Sequence, residues 1–378
     1  MRTERDTRID VFRAIVLLMI FINHVPGNIY ETFTLKNYGF SDAAEVFVLI
    51  SGLAIGLVYG RKMQGDQWLR SALAVWRRAW VLFYTHMMTT LATLGIFCGA
   101  AVFAARGDLL DKINIGAVID EPARALVGIG TLGHQLGYNN ILPLYMVLLV
   151  AVPAIIWLLR KNMALTIAAS GALWLAAGIF RIAPPNYPLD GVWFLNPLSW
   201  QFLFVIGIAA MMHVARGGAL PKHPALTQVS IAYLIFALVM IHSPLWGVNS
   251  WFGLPEVLGG FNKTYLSLAR LFDVLALAYL IGRWPAVSDL ARLSPEHPLA
   301  ILGKHSLPVF VTGTLCAMVA QVLRHLDQPS LGFDTLLIAT GIAIQLAVAY
   351  VLEWKAQMMR TDTASAPKPA GKALPAAA

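Results

Sequence analysis

Residues 11–27 read VFRAIVLLMIFINHVPG, an apolar run that carries two ionisable side chains, Arg13 and His24, eleven positions apart. At ~100° and ~1.5 Å per residue, eleven steps return to nearly the same helix face about 16 Å further along the axis. A cation and an imidazole then share one stripe, separated by roughly half of a ~30 Å hydrocarbon core. Burying both within a membrane span is costly, and groups like these face a protein interior or a wet cavity.

The whole chain supports the membrane reading: of its 378 residues 58% are hydrophobic and 13% charged, with a mean hydropathy of +0.67, more apolar side chain than a soluble domain can hide. The formal charge of +8 is scattered through short connections and lines no single stripe, so it reads as a topology signal and not as a nucleic-acid surface. Ten stretches are long enough to cross a bilayer, near 11–27, 43–60, 79–105, 139–159, 163–181, 198–215, 226–242, 265–282, 306–323 and 335–352. With the N-terminus inside, 19 basic residues fall on the cytoplasmic side and 7 outside, with Arg13 and Arg270 within spans. The expectation is an all-α, polytopic integral membrane protein of about ten transmembrane helices with both termini cytoplasmic. A single membrane domain covers 1–355, and an Ala-, Pro- and Lys-rich disordered tail covers 356–378. The basic, apolar N-terminus lacks a small-residue cleavage site and reads as a retained first helix. Cys98 and Cys316 both lie in apolar runs, and no metal cluster is indicated.

Further polar residues stand out. In GFSDAAEVFVLISGLAIGLVYG, Asp42 and Glu45 lie three residues apart at the start of the second stretch, where the chain has turned back from His24. A carboxylate beside an imidazole fixes its tautomer and lets it act as a base toward a hydroxyl, so His24, Glu45 and Asp42 form a candidate catalytic group. For Asp42 a helix-capping role has equal standing. Arg270 and Asp273 form an i, i+3 pair within the eighth stretch. His134, Asn139, Tyr145 and Trp200 belong to external clusters of aromatic and amide groups that suit carbohydrate, although interfacial belts of Trp and Tyr have the same appearance.

RIDVFRAIVLLMIFINH resembles the first-helix signature of membrane acyltransferases of the acyltransferase-3 type, and FVLISG resembles the helix that follows. INHVPGN, GFSDAAEVFVLISG, NNILPLYMVLL, FLNPLSWQFLFVIG and ILGKHSLPVF together are similar to the OpgC branch, the osmoregulated periplasmic glucan succinyltransferases. Asn23 departs from that branch, where an aspartate before the histidine is expected, which leaves Glu45 or Asp42 as the helper. The resemblance implies transfer of an acyl group, succinyl in this branch, from cytoplasmic acyl-CoA as co-substrate to a hydroxyl of a periplasmic glucan or other cell-surface glycan. It implies a multi-pass protein of the bacterial inner membrane, with no bound cofactor and no nucleic-acid partner. His24 is then the general base, with a covalent acyl-histidine route left open. Arg13, His86, Arg77, Arg78 and Lys304 become donor-side residues, and Arg270 becomes a cation for a succinyl carboxylate. Two rivals remain: an acetyltransferase of a different glycan, and a transporter or flippase using Arg13, His24, Arg270 and Asp273 as a polar pathway.

Overall fold

The computed structural model describes residues 6–246, 250, 253–327 and 330–365. Among these the chain is all-α, with one isolated antiparallel bridge between Pro185 and Val192. Ten principal helices are α1 (Arg8–Asn23), α2 (Ala43–Tyr59), α3 (Gln67–Phe103), α4 (Ile141–Lys161), α5 (Met163–Ile179), α6 (Pro197–Ala215), α7 (Pro224–Ile241), α8 (Leu268–Arg283), α9 (Ser306–Leu326) and α10 (Leu331–Ser365). Each overlaps one of the ten apolar stretches.

Six of them, α3, α4, α6, α7, α9 and α10, are long and apolar enough to cross a membrane, which makes this a multi-pass membrane protein. α2 and α5 are apolar but shorter. At 16 residues each, α1 and α8 reach only about 24 Å along their axes. They also carry the polar side chains Asp10, Arg13, Arg270 and Asp273, and both pack among the other helices.

α1 runs against α2, α9 and a short helix, Pro298–Lys304. The approach of that short helix depends on Gly303, because a Cβ there would overlap the backbone of Asp10. α2 and α6 approach by the same device: a Cβ on Gly207 would stand 2.6 Å from the Leu49 carbonyl, and one on Gly56 2.7 Å from that of Ile208. Small residues of this kind let helix backbones meet where lipid provides no hydrophobic drive. Leu17, Leu49, Leu82, Leu148, Phe204, Leu271 and Phe310 form the core between the helices.

The long connection between α3 and α4 is folded. It contains the short helices Gly116–Asp120 and Pro122–Gly130, and its Leu109, Ile115 and Leu136 bury against Phe97 of α3 and Met318 and Val322 of α9. At the other end of the chain α10 continues to Ser365, past the boundary placed at residue 355, so 356–365 is helical. The remainder of the predicted tail lies outside the described residues.

Candidate active site

α1 stops at Asn23, and His24 is its C-cap. The turn exists because Pro26 and Gly27, the latter at φ +81°, cannot continue a helix. The His24 ring stacks on Tyr138, with centroids 4.4 Å apart and planes 17° from parallel. The Gln321 amide of α9 donates to the His24 carbonyl at 2.7 Å. Nδ1 is buried without a hydrogen-bond partner among the described residues, which leaves Nε2 as the nitrogen toward the adjoining cavity.

That cavity, about 160 Å³, is walled by His24, Asn23, Lys36, Asp42, Tyr138, Asn140, Phe194 and Lys263, with the Ala43–Ala44 start of α2. Burial pushes the Tyr138 phenol above its ordinary range, so it keeps its proton. The cavity belongs to a series. It shares Tyr138, Asn140 and Phe194 with an outer groove of about 390 Å³ that also contains Asn114, Gln135, Asn186, Trp193 and Gln321. In the opposite direction Ile141 also lines a narrow apolar waist of about 20 Å³ between Phe47, Leu82, Tyr145 and Phe310. Arg78, Ser306 and Leu307 in turn join the waist to a wide mouth of about 450 Å³ lined by Arg77, Arg78, Lys304 and His305.

Several site residues expected from sequence meet along this series. His24 and Asp42 share the inner cavity, Tyr145 lines the waist, and Arg77, Arg78 and Lys304 line the mouth. Lys304 and its neighbour His305 both bind Glu353 of α10, at 2.6 and 2.9 Å. His86 follows Arg78 and Leu82 at four-residue spacing on α3, so all three share a face. It is 1% exposed and neither ring nitrogen has a partner among the described residues, but it lines none of these cavities.

Other expectations are corrected. Glu45 does not orient His24: it is fully buried, accepts from the Asp42 backbone at 2.9 Å and pairs with Arg270 at 3.0 Å. Asp42 accepts from Ala44 N at 2.8 Å, so Asp42 and Glu45 close a capping box on α2. The anticipated Arg270–Asp273 pair is not made, because Asp273 accepts from Ser41 backbone and hydroxyl while Arg270 also holds the Phe261 carbonyl at 2.9 Å. Arg270 is therefore engaged with Glu45 and lines none of the cavities described. Arg13 lies 3.3 Å from Asp10 and 3.5 Å from the carbonyl of Gly303, the residue before Lys304, and does not itself line the mouth.

His134, Asn139 and Trp200 do not line the groove. His134 Nε2–H donates to the Asn114 carbonyl, 3.0 Å away, and burial pushes its imidazole below the ordinary value. Asn139 is buried on Thr93 at 3.1 Å. Trp200 is fully buried, and its indole donates to the Lys263 carbonyl at 3.1 Å. Gln135 and Asn140, each one position on, and Trp193, seven positions before Trp200, line the groove instead. Lys36 and Lys263 had no assigned role in the sequence reading. Their signal was that few basic residues fall on the side assigned outside, and these two are among them.

The sequence model of a family described as OpgC protein matches residues 5–357. The chain belongs to the OpgC family. No curated protein matches the OpgC-family chain. Family membership and the apolar helices together make it a membrane transferase of acyltransferase-like type.

Proposed function

We propose that this OpgC-family protein moves an acyl group, succinyl by family resemblance, from cytoplasmic acyl-CoA to a hydroxyl of a periplasmic glucan or other surface glycan. The observation that carries the reading is the series of cavities with shared walls, running from Arg77 and Arg78 through the Tyr145 waist to His24 and the outer groove. In this reading all ten helices cross the bacterial inner membrane, both termini are cytoplasmic, and the wide mouth opens to the cytoplasm. Coenzyme A stays at the mouth, its phosphates near Arg77 and Arg78, exposed guanidinium groups with no ion pair to another described residue. Its pantetheine arm enters past Phe47, Leu82, Tyr145 and Phe310, which must part to admit it.

The glycan lies in the outer groove, where amides (Asn114, Gln135, Asn140, Asn186) and the Trp193 ring suit sugar hydroxyls and faces. His24 Nε2 takes the proton as the hydroxyl oxygen attacks the thioester carbonyl carbon. The C–S bond breaks, and the proton passes to the departing thiolate to give free coenzyme A and an O-acyl sugar. Tyr138 fixes the imidazole plane by stacking. With Glu45 engaged elsewhere, Asp42 is the carboxylate that shares the His24 cavity.

Purified protein mixed with succinyl-CoA and a glucan acceptor tests this. Free thiol and a +100 Da adduct on the glucan are expected, and both vanish in His24→Ala. Transfer that survives in His24→Ala, or acyl-CoA left untouched by the wild type, overturns the reading.

A further inference from the structure

The charged side chains that wall the His24 cavity are Lys36, Lys263 and Asp42; Lys263 pairs with Asp42, and Lys36 with Glu31, which does not line the cavity. Ala43 and Ala44 add the first turn of α2, whose backbone amides carry the positive end of the helix dipole. A histidine that must become cationic when it takes a proton faces two ammonium groups and a helix N-terminus here, and the one carboxylate beside it, Asp42, is shared with Lys263, which opposes the reaction. A neutral acyl group passing to a neutral sugar leaves that repulsion uncompensated. An anionic group bound beside His24 removes it.

The lysine position is built. Lys263 Nζ rests on the Asp42 carboxylate, and Asp42 is itself held by the α2 cap and by Glu45, which Arg270 anchors. The Lys263 carbonyl accepts from Trp200 at 3.1 Å, and the next carbonyl, of Thr264, accepts from Asn196 N at 3.3 Å. Trp174 donates to the carbonyl of Leu266 at 2.9 Å, and Arg270 holds that of Phe261 at 2.9 Å. Four buried or half-buried donors thus fix the backbone of a loop whose one cation faces the cavity. Lys36, tied to Glu31, approaches from the α1–α2 connection.

We propose that Lys263, assisted by Lys36, binds the distal carboxylate of a dicarboxylic acyl thioester and so selects the donor, a role that rests on the transferase reading above. An anionic substituent on the glycan has the same chemistry, but the small inner cavity adjoins the Ile141 waist on the donor's path, whereas the glycan's groove is lined by amides and aromatic rings. Arg270 lines none of the cavities described and so is not the selector.

The test compares succinyl-CoA with butyryl-CoA, matched in carbon number but not in charge, on a neutral glucan acceptor. Wild-type protein is expected to favour succinyl-CoA in kcat/KM by at least about tenfold, and Lys263→Met to lower that ratio by about tenfold or more, as a charged hydrogen bond is lost. Lys263→Arg should retain most of the preference. If Lys263→Met does not yield folded protein, Lys36→Met gives the same readout, with an expected fall of about threefold or more. A wild-type preference for butyryl-CoA, or a ratio unchanged in Lys263→Met because both donors fail equally, overturns the selector while leaving the transferase reading intact. Transfer from neither donor by wild-type protein overturns both.

Discussion

At one end of α1 the Arg13 guanidinium lies against Asp10 and the Gly303 carbonyl and lines none of the cavities described above. At the other end His24 walls a cavity with Lys263, Asp42 and Asn140. Arg13 lies within α1 and His24 caps the same helix eleven positions on, so the helix itself does not explain the difference. The neighbours do. Gly303 lets a second backbone close against that of Asp10, and Arg13 Nη1 reaches the Asp10 carboxylate and the Gly303 carbonyl. Beside His24, the Tyr138 ring and the Lys263 loop hold the chain apart, and space is left. In a helical membrane protein, polar groups remain available for chemistry where something keeps backbones from meeting.

The largest effect that can break this comparison is at His24. Replacing it with alanine should lower acyl transfer by on the order of 10²- to 10⁴-fold, measured as thiol release with glucan present, with the yield and elution profile of the protein unchanged. Next comes Glu45. Glu45→Ala leaves Arg270 buried without its carboxylate and should destabilise by ~3–5 kcal/mol, read as a lower melting temperature in detergent. Glu45→Gln, whose amide oxygen can still accept from Asp42 N, should cost less. If Glu45→Ala instead melts like wild type but loses transfer, Glu45 serves His24 and the separation drawn here fails.

A smaller effect is expected at the closed end of α1. Gly303→Ala should cost ~1–3 kcal/mol through overpacking against Asp10, and an unchanged melting temperature would show that the helices can part there. Smallest are the mouth residues. Arg77→Ala or Arg78→Ala should raise the KM for acyl-CoA by about three- to fivefold with kcat little altered, since exposed charge contacts are weak. A fall in kcat alone would remove them from the donor site.

Much of the helical framework was legible because apolar runs report local burial, and each of the ten stretches overlaps a helix. His24, Asp42, Tyr145, Arg77, Arg78 and Lys304, which stand out because ionisable or polar groups near apolar runs are costly, line the cavity series. The capping box was readable too, as Asp and Glu three residues apart before an apolar run. Arg270 and Asp273 misled because spacing along one helix suggested a pair, whereas each found a partner on or just before α2. His134 and Asn139 are buried one position before the groove-lining Gln135 and Asn140, and Trp200 is buried while Trp193 lines the groove; composition does not resolve which face of a turn is open.

The class of molecule, the approximate helix positions and the Arg13–His24 spacing follow from the amino-acid sequence alone, because hydropathy and periodicity act over a few residues. Only the tertiary structure decided that Glu45 belongs to Arg270, 225 residues away, and that Lys263 stands opposite Asp42. It also decided that His24 looks into a cavity while Arg13 does not. Those outcomes depend on which helices approach closely, a choice made by glycines and ring sizes on segments far apart in the chain.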